Sequence, residues 1–120
     1  MNLYDAAYQL ARAMRESEEY KDVERLQKKV NQDASTKKMY EEFRMQEMAY
    51  QLKQMSGEEV NEEEEERIQQ LFEVLRLNPD IAQLLDAERR FSLLLNDVNR
   101  IVAEPLQELF PDANSDVEQH

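Results

Sequence analysis

The sequence predicts an all-α protein, a small helical bundle of about five helices that closes with a long C-terminal helix. Three observations carry that expectation. Turn-forming residues are scarce, with one glycine and three prolines in 120 residues, which favours helices over strands. Apolar residues recur at three- and four-residue steps, the spacing that lines one face of a helix. Residues able to accept a backbone N–H bond stand ahead of several of the apolar runs, where helices begin.

The first helix carries Leu3, Ala6 or Ala7, Leu10 and Met14 on one stripe and ends near Arg15 or Glu16. Ser17, followed by Glu18 and Glu19, caps a second helix, and both acids complement the positive end of its dipole. Tyr20, Val23, Leu26 and Val30 form that helix's stripe. The polar stretch from Asn31 to Thr36 marks a break, with Asp33 or Ser35 starting the third helix. Met39, Tyr40, Phe43, Met48, Tyr50, Leu52 and Met55 spread around more than one face of it, which implies contacts on two sides. Gly57, the only glycine, closes this helix at little cost because it tolerates positive φ.

The stretch NEEEEERIQQLFEVLRLNP, residues 61–79, sets five glutamates in front of an apolar run. Asn61 caps, Glu62 to Glu64 fill the first turn, and Glu63 stands four residues before Arg67, the favourable order for an ion pair. Ile68, Leu71, Phe72 and Leu75 share one face. Consecutive glutamates point all around a helix and cannot converge on one ion, so the run is a helix start and not a metal cage. Asn78-Pro79-Asp80 then supplies a cap, a proline at the first helical position and an acid. A helix from Pro79 to Glu104 follows, about 39 Å long. Ile81, Leu84, Glu88, Phe91, Leu95, Val98 and Val102 make a near-heptad seam with one polar interruption. Pro105 kinks or ends the helix, while Leu106, Leu109 and Phe110 retain the means to pack. Residues 1–110 are expected to form one helical domain and 111–120 a disordered tail.

Composition narrows the function. Residues 1–57 hold ten acids and ten bases, and residues 58–120 hold seventeen acids against five arginines, so the whole formal charge of −12 lies in the second half. That field repels phosphate, which argues against nucleic acid as a ligand. Lys28, Lys29, Lys37 and Lys38 could still form a local basic patch, although lysines scattered over helix faces are usually just solvated. Cysteine is absent, which removes disulfides, thiolate metal sites and thiol catalysis. The sole histidine is His120, so neither a Ser-His-Asp arrangement nor an HExxH motif exists. The opening MNLYDAAYQLARAM contains Asp5 and does not read as a signal peptide, and eighteen apolar residues never run together. A soluble, cytoplasmic protein without cofactor, metal, catalytic residues or small-molecule substrate is expected. Asp86 and Glu88 to Arg90 read as ion pairs on a helix surface.

Asp5 and Leu10 in an opening helix, ESEEY at 16–20, MYEEFR at 39–44, an acidic helix, and LNPDIAQLLDAERRFSLLLNDVNRI at 77–101 together resemble the YlbF/YmcA family of small bacterial helical proteins, and within it the YheA-type branch. The resemblance spans roughly residues 1–110. It implies an all-α domain that dimerises through helices and acts in regulatory assemblies instead of catalysing a reaction. Better-studied relatives join a complex linked to competence, sporulation and biofilm control, acting through an endoribonuclease that matures messenger RNA. Those relatives carry cysteines associated with iron–sulfur clusters. This chain has none, and the cluster does not carry over.

Two functions of different classes remain. One is a non-enzymatic adaptor or regulatory scaffold that offers helix faces to a protein partner; the other is an RNA-associated factor using the basic residues of the first half. For the former, the surplus apolar surface of the last helix predicts a homodimer. Phe91, Leu95 and Val98 on the seam, with Leu94 and Ile101 beside it, are the expected interface.

Overall fold

The computed structural model describes residues 1–111, to which the following statements apply. It contains six helices and no strand among them: α1 (Leu3–Glu16), α2 (Glu18–Asn31), α3 (Ala34–Met55), α4 (Glu62–Arg76), α5 (Pro79–Val102) and α6 (Glu104–Leu109). Apart from Pro111, the expected tail at 111–120 lies outside the described residues.

Short polar side chains cap five of the six helices. Asn2, Ser17, Asp33, Asn61 and Asn78 each accept a bond from a backbone N–H of the first turn, satisfying a donor that the helix itself leaves open. Of the two residues that could start α3, Asp33 does so. Its Oδ2 accepts from the Thr36 hydroxyl at 2.5 Å and the Thr36 N–H at 3.3 Å. These bonds, the hydroxyl's first, hold the Asp33 carboxyl below the usual aspartate range. At the other end of α3, Gly57 has φ +80°. The Glu58 N–H donates to the Lys53 carbonyl at 3.0 Å and the Gly57 N–H to that of Gln54 at 3.4 Å, the paired closure that a left-handed residue permits.

The last helix is shorter than its apolar pattern. It stops at Val102 instead of Glu104, and a sixth, short helix begins at Glu104. Pro105 is the reason, because it has no N–H to give Ile101 and its ring crowds that carbonyl.

The core lies between α2, α3, α4 and α5. Leu26, Val30, Phe43, Leu75, Ile81, Leu84 and Ala87 are all at most 3% exposed, with Val23, Met39, Tyr40, Leu71 and Leu85 packed around them. Each large member contributes about 1.5–3 kcal/mol on burial. Helices α2 and α5 run antiparallel. The register is visible in Lys29 facing Asp80 at 3.3 Å, Asp22 facing Arg90 at 4.0 Å and Tyr20 meeting Phe91 edge-on with ring centroids 6.0 Å apart. Ala87, too small to count in an apolar stripe, is buried as well. Thr36 is 7% exposed and its hydroxyl also accepts from the Asn78 side chain at 3.4 Å, which ties the start of α3 to the start of α5.

The rest of the molecule is spread out. The Cα radius of gyration is 18.2 Å, whereas a compact domain of this length has about 13–14 Å. Its extents are 47 × 37 × 18 Å, so its thinnest dimension is under two helix diameters of about 10–12 Å.

Candidate interaction surface

Beyond Phe91 the apolar seam of α5 outruns its cover. α2 accompanies α5 from Asp80 as far as Phe91, and there α2 begins. The same face continues through Leu94, Leu95, Val98, Ile101 and Val102, because steps of three and four keep residues within one arc. Phe91 is half-buried and uses one edge on Tyr20. Leu94, Leu95 and Val98 are also half-buried, whereas Ile101 is 57% and Val102 60% exposed. The five residues expected at an interface therefore do lie on one helix face, grading from partly covered to open. Leu106, Leu109 and Phe110 on α6 and just after it are exposed as well.

Two further apolar faces lie open. No residue of α1 is buried, and Leu3, Tyr4 and Tyr8 are 69–82% exposed. On α3, Met45, Met48, Leu52 and Met55 step by three and four on the side opposite Phe43, and each is more than 60% exposed. The two-sided apolar pattern of α3 thus separates into one face that meets the core and one that meets water.

Polar chemistry is structural where it is buried. Asp86 bonds Arg89 at 3.1 Å and Arg90 at 3.2 Å, the expected surface pairing. Glu88 departs from that expectation. Its carboxylate crosses to α3, where it accepts from the Tyr40 hydroxyl at 2.8 Å and pairs with Arg44; Arg44 Nε in turn donates to Tyr40 at 2.8 Å. An acid at a seam position between Leu84 and Phe91 was the available signal, since such a residue is tolerated inside only with a partner. The partner itself is set by the fold.

The five glutamates do begin a helix. Four are exposed and Glu64 is half-buried, and the carboxylate of Glu64 meets Lys53 at 2.6 Å across an open groove of about 270 Å³ between α3 and α4. No Glu63–Arg67 pair forms. Replacing Glu64 and Glu65 by glutamine should change unfolding free energy by less than about 1 kcal/mol, because the charges are largely solvated. Urea titration measures this, and a much larger loss would mean that the acidic run has another role. Three of the four lysines that could form a basic patch face acids: Lys28 with Glu24 at 3.8 Å, Lys29 with Asp80 at 3.3 Å and Lys37 with Glu41 at 4.0 Å. Among the described residues no helix is long and apolar enough to cross a membrane.

Residues 3–107 match the family model described as control of competence regulator ComK, YlbF/YmcA. The UPF0342 protein YheA of Bacillus subtilis is 41% identical over 110 residues, covering 92% of this chain and 94% of that protein. A solved protein of unknown function (DUF964) from Bacillus stearothermophilus superposes with a TM-score of 0.79 at 29% identity, over 89% of this chain and 94% of that one. The crystal structure of Bacillus subtilis RicA in complex with RicF includes a chain with a TM-score of 0.59 and 21% identity, over 88% of this chain and 94% of that one. This last likeness concerns the fold alone.

Proposed function

The chain belongs to the YlbF/YmcA family linked to control of the competence regulator ComK, and from that premise we propose that it is a non-enzymatic, cytoplasmic helical adaptor. In this reading it works as a homodimer and holds a protein partner in a regulatory assembly. The dimer forms through Phe91, Leu94, Leu95, Val98 and Ile101. The observation that carries the reading is the apolar face of α5 continuing past the end of α2, with Ile101 and Val102 more than half exposed. An isologous pairing covers such a face with the least new surface. A chain of the RicA–RicF complex shares the fold, which is consistent with a protein partner.

Light scattering at micromolar concentration tests the dimer. The expected mass is about twice the 14.3 kDa of one chain, and a value at the chain mass would overturn the dimer. Titration with single-stranded RNA at physiological salt separates the adaptor from the RNA-associated alternative. No saturable binding is expected, because the second half carries the whole charge of −12 and little is gained from counterion release. Micromolar affinity would favour the alternative.

A further inference from the structure

The helix α1 has little cover within its own chain. It rests chiefly against α2, leaves it at the extended residue Ser17, and buries no side chain. Leu3, Tyr4, Ala7, Tyr8, Leu10, Ala11 and Met14 nevertheless form a broad apolar arc along it. A helix of 14 residues is marginal on its own in water, since isolated helices shorter than about 12–15 residues hardly hold. Something outside the chain must take that arc.

We infer that the occupant is a second copy: α1 of each protomer lies on the distal α5–α6 surface of its partner, Leu94 to Leu109. This rests on the homodimer proposed above and adds the part that α1 plays in it. Lengths agree, because α1 is about 21 Å long and residues 94–109 laid end to end span about 24 Å. Area agrees as well. Leu3, Tyr4, Tyr8 and Leu10 on one surface and Ile101, Val102, Leu106, Leu109 and Phe110 on the other are 37–82% exposed. With side chains of this size the two surfaces offer about 1,000 Å² per protomer, against the roughly 800 Å² that a stable interface takes from each partner. The distal surface is also continuous with the proposed α5 contact, so one two-fold operation covers both faces on both chains.

The absence of cysteine makes the test direct. Ala6→Cys and Asn99→Cys, placed together in one chain, flank the two arcs without removing their large apolar residues. The double variant is treated with a short bifunctional maleimide, alone and after equilibration with a tenfold excess of the parent chain. A covalent dimer whose yield falls at least fivefold under that excess is expected. Intrachain linkage that the excess leaves unchanged would place α1 on its own α5 and overturn the exchange. A parent that scatters as a dimer while its variant gives no interchain link would overturn the exchange and leave the proposed homodimer standing. A parent that scatters as a monomer would overturn both. Hydrogen exchange on the unmodified protein checks the same point: α1 amides should exchange about tenfold more slowly above the dimer dissociation constant than below it, and equal rates would count against the exchange.

Discussion

Leu84→Ala is expected to lower the unfolding free energy by about 3 kcal/mol, within the 2–5 kcal/mol range for deleting a buried leucine side chain. Leu84 is 0% exposed and sits in one cluster with Leu26, Val30, Phe43, Leu75 and Ile81, so helices close around it and relax little when it is truncated. Against a total stability of about 5–15 kcal/mol for a small domain, that loss should depress the melting temperature by about 10–20 °C. Leu77→Ala is the matched control. Leu77 is 82% exposed, and its truncation should cost less than about 0.5 kcal/mol. Urea titration of the two variants side by side decides the matter: equal losses would mean that the core is not where the structure has it.

Leu94→Glu is expected to convert the protein from dimer to monomer, raising the dissociation constant at least about 100-fold, which corresponds to about 2.7 kcal/mol. The two-fold relation makes each substitution count twice, and a carboxylate in an apolar contact must shed its water without a partner. Because Leu94 is half-buried within its own chain, loss of dimer could reflect loss of fold. Ile101→Glu removes that ambiguity, since Ile101 is 57% exposed in the single chain and the monomer should accept the charge. Asn96→Glu, on the opposite side of α5, should leave the mass unchanged. Sedimentation equilibrium reads all three, and an unaltered dimer in the Ile101 variant would remove this face from the interface.

Much of the architecture was legible as punctuation. Ser17, Asn61 and Asn78 are short polar side chains followed by acids and an apolar period, and each caps the helix that begins there. Gly57 closes α3 because no other residue type takes φ +80° so cheaply. Leu26, Val30, Leu75, Ile81 and Leu84 lie on the stripes that three- and four-residue spacing marks, and all are buried. Such features are local. They depend on a residue and its neighbours within one or two turns, and the sequence states those directly.

Where the expectations and the structure part, the cause lies between helices. Glu88 looked like part of a surface ion-pair group on α5, but it faces Tyr40 and Arg44, 48 and 44 positions earlier in the chain. Thr36 carried no sign of burial, yet it joins the caps of α3 and α5. Ala87, which no apolar stripe included, is a buried member of the core. The surplus apolar surface of the last helix was expected, but periodicity cannot say where its cover within the chain stops. The first turn of α2 lies where α5 still has about a dozen residues to run, so the distal α5 face is only partly covered and α1 buries no side chain. By itself, then, the sequence determined that the protein is helical, where most of its helices start, and which face of most of them is apolar, because caps and periods act within a few residues. Tertiary structure alone decided which of those faces are spent inside the chain, because that depends on helix lengths and the register in which distant segments meet.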